Sequence, residues 1–505
     1  MTDALTNTMA NTMMTSDPWL ILLVVVPMLA APVCILLRSG PAAWSIATAV
    51  SWSVFAIALY LLGTVLESGT MIYRIGGWDA PWGIEYSLDA VGAFVVVIVA
   101  AIGAVVMPYA KRSVDAEIPA ERHYLFYAMV MLCLSGLLGI TVTGDAFNLF
   151  VFLEISSLST YVLISLGSDR RALTAAYRYL IMGTLGATFY IIGVGLMYQM
   201  TGSLNIADLA GIMPAVADTR TILAALAFLT VGISLKMALF PLHTWLPNAY
   251  TFAPSVVTVF IAATATKVSV YILLRIIFTV FGQVDVFATF PIQPVLMTMA
   301  IAAMFLASLS AIWQENIKRM MAYSSVAQIG YMVLGLAIAT ESGLAGSIVH
   351  LFNHALMKGT AFMAIGAIVL ATGAVTLTDL QGIGKRMPLT MGAFVVAGLS
   401  LIGVPLTVGF VSKWQLVSAA LEVEMWPLAA LILLSSLLAI IYVWRIFEVA
   451  YLRQPPVTEC GPKEVPLSML IPTWILALAG IYFGAHATFT LDVAHTAARQ
   501  LMGGM

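Results

Sequence analysis

Six ionisable side chains lie inside long apolar runs of this sequence: Glu154 and the bases Lys236, Lys267, Arg275, Lys358 and Lys413. Removed from water, an amine loses affinity for its proton, and a neighbouring carboxylate restores it. A series of such groups can take up protons and hand them on. A charge at mid-bilayer depth costs about 2.5–3.5 kcal/mol on insertion scales, so several together mark an ion or proton path. Fully protonated, the five bases leave four positive charges without a carboxylate. Either a partner protein supplies acids, or some lysines spend part of their time neutral.

Glu154 stands in Phe147-Asn-Leu-Phe-Val-Phe-Leu-Glu154-Ile-Ser-Ser-Leu-Ser-Thr-Tyr161, with Ser157 and Tyr161 on its helical face. A titrating carboxylate and a structural Glu–Lys clamp both fit. Lys236 precedes Pro241, whose ring clashes with the Met237 carbonyl, so the helix should break beside the lysine and leave polar backbone groups able to hold water. The plainer alternative is a kink with a lysine reaching for the interface. Lys267 has Thr264 and Tyr271 at i−3 and i+4, a polar stripe that Arg275 continues either towards the interface or along a pathway. His350, Asn353, His354 and Lys358 share one helix face, where neutral imidazoles can relay protons. Two histidines at i and i+4 also suit a metal, but no acidic third ligand is near in sequence, and satisfied core histidines are a further alternative. Lys413 follows a second break, Gly403-Val-Pro405-Leu-Thr-Val-Gly409. His243, just past the first break, either admits protons or caps an interfacial turn.

The elements that must hold these residues are membrane helices. Of 505 residues, 61% are hydrophobic and only 9% charged, and mean hydropathy is +1.01; soluble domains carry roughly 25% charged residues. Runs of about 20 apolar residues predict an all-α polytopic membrane protein with fourteen spans. They fall near 19–37, 43–65, 89–109, 124–142, 147–166, 172–200, 221–240, 254–281, 293–313, 322–340, 343–371, 389–420, 426–451 and 468–486. One set of loops holds fourteen Lys and Arg, Arg38 through Lys463, and the other only Arg74, Arg220 and Arg499. Positively charged loops stay cytoplasmic, so both termini are expected outside. Residues 66–88 suit a short external hairpin. The first 17 residues hold Asp3 and Asp17 but no base, so the first apolar stretch reads as a retained helix rather than a signal peptide.

Two lysine-bearing broken helices five spans apart suggest an inverted duplication. It divides the chain into a three-helix segment at 1–110, a first repeat at 111–281 (spans 4–8), a second at 293–452 (spans 9–13), and a last helix and tail at 468–505. Cys34, Cys133 and Cys460 lack any paired spacing for a metal or redox centre, and no cofactor is expected. A net charge of −2 argues against nucleic acid as a partner. Gly382-Ile-Gly384-Lys lacks the remaining positions of a phosphate loop.

At these residues the chain resembles the antiporter-like subunits shared by Mrp-type cation/proton antiporters, respiratory complex I and membrane-bound hydrogenases, and within them the D subunits of the Mrp type. The likeness rests on Thr143-Gly-Asp145-Ala-Phe-Asn148 running to Glu154, on Phe240-Pro-Leu-His-Thr-Trp-Leu-Pro-Asn-Ala-Tyr, on Ala265-Thr-Lys267-Val-Ser-Val-Tyr, on Ile317 to Tyr331 and on Gly409-Phe-Val-Ser-Lys-Trp414. It covers nearly the whole chain. The resemblance implies a proton half-channel in each repeat: Glu154 tuning Lys236, Lys267 with the His350/His354 face joining the repeats, and Lys413 near the external exit. It implies inward proton movement driving sodium export in a multisubunit complex of a bacterial inner membrane. A redox-driven pump arm is the alternative, and a self-sufficient transporter a third. Lysine at 413 departs from the complex I antiporter-like protein that carries Glu there, and the long lateral helix of the largest such protein is absent. His243 stands where some D subunits have an aromatic, which leaves open a D-like paralogue.

Overall fold

The computed structural model describes residues 13–14, 17–284, 286–454 and 464–503; Asp3, Cys460 and Lys463 fall outside them. The helices are α1 Trp19–Leu37, α2 Gly40–Ser68, α3 Ala90–Glu117, α4 His123–Val142, α5 Ala146–Ser165, α6 Arg170–Thr201, the short α7 Ile206–Val216, α8 Arg220–Met237, α9 Trp245–Phe252, α10 Ser255–Ala263 and α11 Ala265–Arg275. They continue with α12 Ile292–Ile312, α13 Ile317–Ile338, α14 Glu341–Thr372, α15 Pro388–Ile402, α16 Val408–Glu422, α17 Trp426–Phe447, α18 Leu467–Ala485 and α19 Thr488–Met502. Among the described residues thirteen helical stretches are long and apolar enough to cross a bilayer. The fourteenth expected span, 389–420, is split into α15 and α16, each 15 residues long.

Capping residues set where the site-bearing helices begin. Asp89, Asp145, Asn205, Asn316 and Thr340 each accept a backbone N–H of the first turn that they precede, satisfying groups that lipid cannot. The hairpin forms between β2, Met71–Arg74, and β3, Glu85–Leu88, with β1, Met13–Met14, parallel to β2. α3, α13 and α14 are buried almost around their circumference, whereas α1, α2, α6 and α17 present exposed apolar faces suited to lipid.

The two halves keep a common register. α6 and α14 each span 32 residues and end on a left-handed glycine, Gly202 and Gly373. Asp145 bridges to Asn205 in the first half, and Asn316 to Thr376 in the second. Every member of this set lies 171 positions from its counterpart (145 to 316, 205 to 376, 202 to 373). Five spans separate the two bridges, so they close opposite faces of the bundle. From this correspondence we propose inverted repeats at 111–281 and 293–452.

A third interruption was not expected. Span 8 breaks at Thr264, between α10 and α11, without proline or glycine, and a π turn at Ile276–Val280 follows.

α6 and α8 cross at Gly186 and Gly232, where a methyl on Gly232 would come within 2.6 Å of the Gly186 carbonyl and 2.8 Å of the Tyr190 amide. Small residues let membrane helices approach this closely. Gly232→Ala should destabilise the protein by about 1–3 kcal/mol, the scale of overpacking. Gly195→Ala, which meets nothing within 4 Å, should instead leave stability equal or raise it by about 0.5–1 kcal/mol. Unfolding midpoints of the two variants in detergent compare them directly.

Candidate functional site

In the first half, α8 stops at Met237 because Ala238 turns left-handed (φ 60°) ahead of Pro241. Lys236 therefore sits in the last helical turn, where the dipole favours a cation. Its Nζ donates to Glu154 Oε1 of α5 at 3.2 Å and to Ser157 Oγ at 2.8 Å. The lysine side chain is 4% exposed and the carboxylate 22%, so the base is sealed while the acid reaches the edge of the protein. The snorkelling alternative for Lys236 is therefore not what the structure contains. Not all the polar groups freed at the break stay open: Trp245 Nε1 takes the Leu235 carbonyl at 2.9 Å. Tyr161 faces the same region but its hydroxyl finds no partner among the described residues. A cavity of about 20 Å³, lined by Ser156, Ser157, Thr160 and Lys236 together with apolar residues such as Leu153 and Ile272, lies beside the pair, room for one water.

Lys267 is wholly buried just past the Thr264 break. Its Nζ donates to the Ala262 carbonyl near the C-terminal end of α10, and more distantly to Thr266 Oγ1 at 3.4 Å. The expected polar stripe is not one connected set. Thr264 bonds back to Phe260, and the Tyr271 hydroxyl bonds to the Thr141 carbonyl and to Arg275. Arg275 neither snorkels nor faces the lysines: its guanidinium grips both oxygens of Asp89, the cap of α3. Asp89, the first residue of the expected span 89–109, is thus an acid that the count of charges inside the apolar runs left out. Its place at the head of such a run was the available signal.

On α14, His350 and His354 stack with ring centroids 6.1 Å apart. His350 bonds to Ser412 Oγ of α16 at 2.7 Å and to Gln328 Oε1 of α13 at 3.0 Å. His354 is fully buried with both nitrogens unpartnered among the described residues, so it is not a satisfied core histidine. Asn353 bonds to the Val408 carbonyl. Lys358 donates to the Met321 carbonyl at 2.9 Å and to Ser324 Oγ. Gly403, left-handed at φ 91°, ends α15, and Lys413 Nζ donates to the Leu401 and Ile402 carbonyls there at 2.8 and 3.1 Å, 4.9 Å from the Tyr331 ring. His243 is buried, stacked 5.1 Å from Phe240, with Nδ1 unpartnered among the described residues. Among the described residues no three His, Cys, Asp or Glu side chains gather as a metal-ligand set.

The common register explains why the halves differ. Position 154 corresponds to 325, so Glu154 is matched by Ser325, and Ser157 by Gln328. The second half lacks the carboxylate, and its lysine is held by helix carbonyls instead. A further polar knot was missed: Glu117 accepts from Ser113 Oγ and from the Ser255 amide and hydroxyl, and Lys318 donates to Ser255 Oγ at 2.9 Å. Lys318, counted among loop bases, is in fact buried.

Compared with known proteins, residues 143–439 match the family described as NADH:quinone oxidoreductase/Mrp antiporter, TM. The chain is 43% identical over 482 residues to the NADH-quinone oxidoreductase N subunit of Desulforudis audaxviator (strain MP104C), covering 92% of this chain and 95% of that one. It is 30% identical to the Na(+)/H(+) antiporter D subunit of Alkalihalophilus pseudofirmus, over 87% of this chain and 88% of that one. It superposes with a TM-score of 0.89 on a chain of the Mrp complex from Dietzia sp. DQ12-45-1b, at 26% identity and 97% and 98% coverage.

Breaking the Asp89–Arg275 pair leaves an uncompensated buried charge, a loss of about 3–5 kcal/mol. Asp89→Ala should therefore lower the unfolding midpoint more than the double variant Asp89→Ala/Arg275→Met, which retains only the lost helix cap of about 1 kcal/mol. Thermal unfolding of the three proteins in detergent checks the order.

Proposed function

Since the chain belongs to the NADH:quinone oxidoreductase/Mrp antiporter transmembrane family, and is a multi-pass antiporter-like subunit of Mrp- or complex I-type assemblies, we propose that it carries protons for a multisubunit Mrp-type Na⁺/H⁺ antiporter. The observation that carries the reading is the Glu154–Lys236 pair at 3.2 Å, opening a series of buried bases that ends at Lys413. A proton reaching the pair neutralises Glu154 or charges Lys236, and the two groups set each other's affinity. From there Lys267, His354 with His350, and Lys358 carry it across the middle of the bundle to Lys413. The unpartnered nitrogens of His354 support a relay, because a ring with free positions can accept and release protons. His243 is a candidate point of proton uptake. In this reading both termini face the periplasm of a bacterial inner membrane, lipid surrounds the exposed helices, and inward proton flow drives sodium out.

The 30% identity to an Na(+)/H(+) antiporter D subunit supports this assembly. The 43% identity to an NADH-quinone oxidoreductase N subunit favours a second reading, the same proton path driven by a redox module. Neither places a redox centre on this chain. Inverted vesicles holding the whole complex separate the two. With an imposed pH gradient and no electron donor, added sodium should dissipate the gradient. Lys236→Ala should lower that flux on the order of 10²-fold, the scale of a lost acid–base group. Near-normal flux in Lys236→Ala overturns proton carriage by this chain, and flux that appears only with an electron donor and acceptor selects the redox assembly.

A further inference from the structure

α19 lies across the end of the bundle, its inner face of Val493, Ala494, Ala497, Ala498 and Leu501 buried. Its polar face holds a dyad that the buried series does not use. His495 Nδ1 lies 3.1 Å from Glu341 Oε1, and His495 Nε2 lies 3.3 Å from Gln415 Nε2. Glu341 is the first residue of α14, and Gln415 belongs to α16 beside Gly346. An amide nitrogen can only donate, so Nε2 is the acceptor and the neutral ring carries its proton on Nδ1, facing the carboxylate. Ser412, one turn before Gln415 on the same face, bonds His350 at 2.7 Å. His350 stands nine residues along α14 from Glu341, about 13–14 Å by helix rise. The seam between α14 and α16 thus runs from a buried histidine to a half-exposed carboxylate with a second histidine at its mouth.

We propose that His495 and Glu341 form a proton-exchange site at the outer mouth of the α14–α16 seam. It rests on the reading that this chain carries protons. The charged groups around the dyad are Arg499, 3.7 Å from the same Glu341 oxygen, Asp492 on α19 itself, Glu422, which accepts from Ser342 at the end of α16, and Asp89 at the start of α3, engaged by Arg275. With side chains 30% and 44% exposed, histidine and carboxylate both meet water. Once the Gln415 amide turns aside, a proton taken by His495 at Nε2 makes imidazolium, the Nδ1 proton leaves to Glu341 and on to outer water, and the part-exposed ring regains its Nδ1–H tautomer by exchange with that water. The inward direction is the same steps reversed, and only N–H and O–H bonds form or break. Gln415 carries no proton; its N–H occupies the Nε2 lone pair in the resting ring and must move off before that nitrogen is protonated.

Inverted vesicles containing the complex place this mouth in the lumen. His495→Gln and Glu341→Gln should each lower sodium-dependent proton flux about tenfold, a fraction of a full acid–base loss, and flatten its dependence on lumenal pH. Imidazole loaded into the lumen should restore most of the flux in His495→Gln, because a mobile base replaces the missing ring. Gln500→Ala removes the bond that docks α19 on the Ala90 amide without touching the dyad and should keep wild-type flux. Unchanged flux and pH profile in His495→Gln, beside a silent Lys236→Ala, overturn the exchange site and leave proton carriage standing. A loss that imidazole cannot rescue and that Gln500→Ala shares overturns it too, assigning the dyad to the docking of α19.

Discussion

A protonated amine inside a membrane must find acceptors, and in this protein broken helices supply them. An intact helix spends its carbonyls on its own amides; a helix that stops at bilayer depth leaves its last carbonyls open, at the end where the backbone dipole is negative. Lys413 occupies that position on α15 and Lys267 on α10. Two lysines differ: Lys236 sits in the final turn of α8 but takes its acceptors, Glu154 and Ser157, from the unbroken α5, and Lys358 is held by a carbonyl and a hydroxyl within an unbroken α13. The alternatives posed by charge counting alone, partner acids or neutral lysines, omitted this third route. Neutral carbonyls stabilise an ammonium without fixing it as an ion pair would, and a lysine so held keeps the freedom to give up its proton.

Much of this was legible in the sequence, and for identifiable reasons. Apolar runs placed the spans within a few residues, because lipid admits few other backbone solutions. Pro241 and the Gly403–Gly409 stretch marked two breaks, since proline and glycine write their effect locally. The Thr264 break carried no such mark: Ala263-Thr-Ala265 holds neither proline nor glycine. Position along the helix left Arg275 open between the interface and a pathway, whereas its fate is decided by Asp89, 186 residues earlier. Lys318 follows Asn316 and so resembles a loop base, yet that asparagine caps α13 and draws the lysine inside with the helix.

Side-chain pairing differs at positions that share one backbone register. Helices of equal length, glycine ends and bridged loops recur 171 positions apart, while the chemistry at matching places does not. Glu154 becomes Ser325, and Tyr179, which stacks on Trp245, becomes His350. One half therefore holds an acid–base pair and the other a histidine face with carbonyl-bound lysines.

The grip of Lys413 on the Leu401 and Ile402 carbonyls also makes the backbone a spectroscopic reporter. An ammonium bound to a carbonyl oxygen weakens the C=O bond more than a neutral amine does, because a charge-assisted hydrogen bond is roughly twice as strong. The stretching frequency of those two peptide groups therefore follows the protonation of the lysine beside them. Isotopic labels on the leucine and isoleucine carbonyls would shift them away from the amide envelope. An infrared difference spectrum could then record the arrival of a proton at Lys413 in the working complex, with no substitution made at the lysine itself.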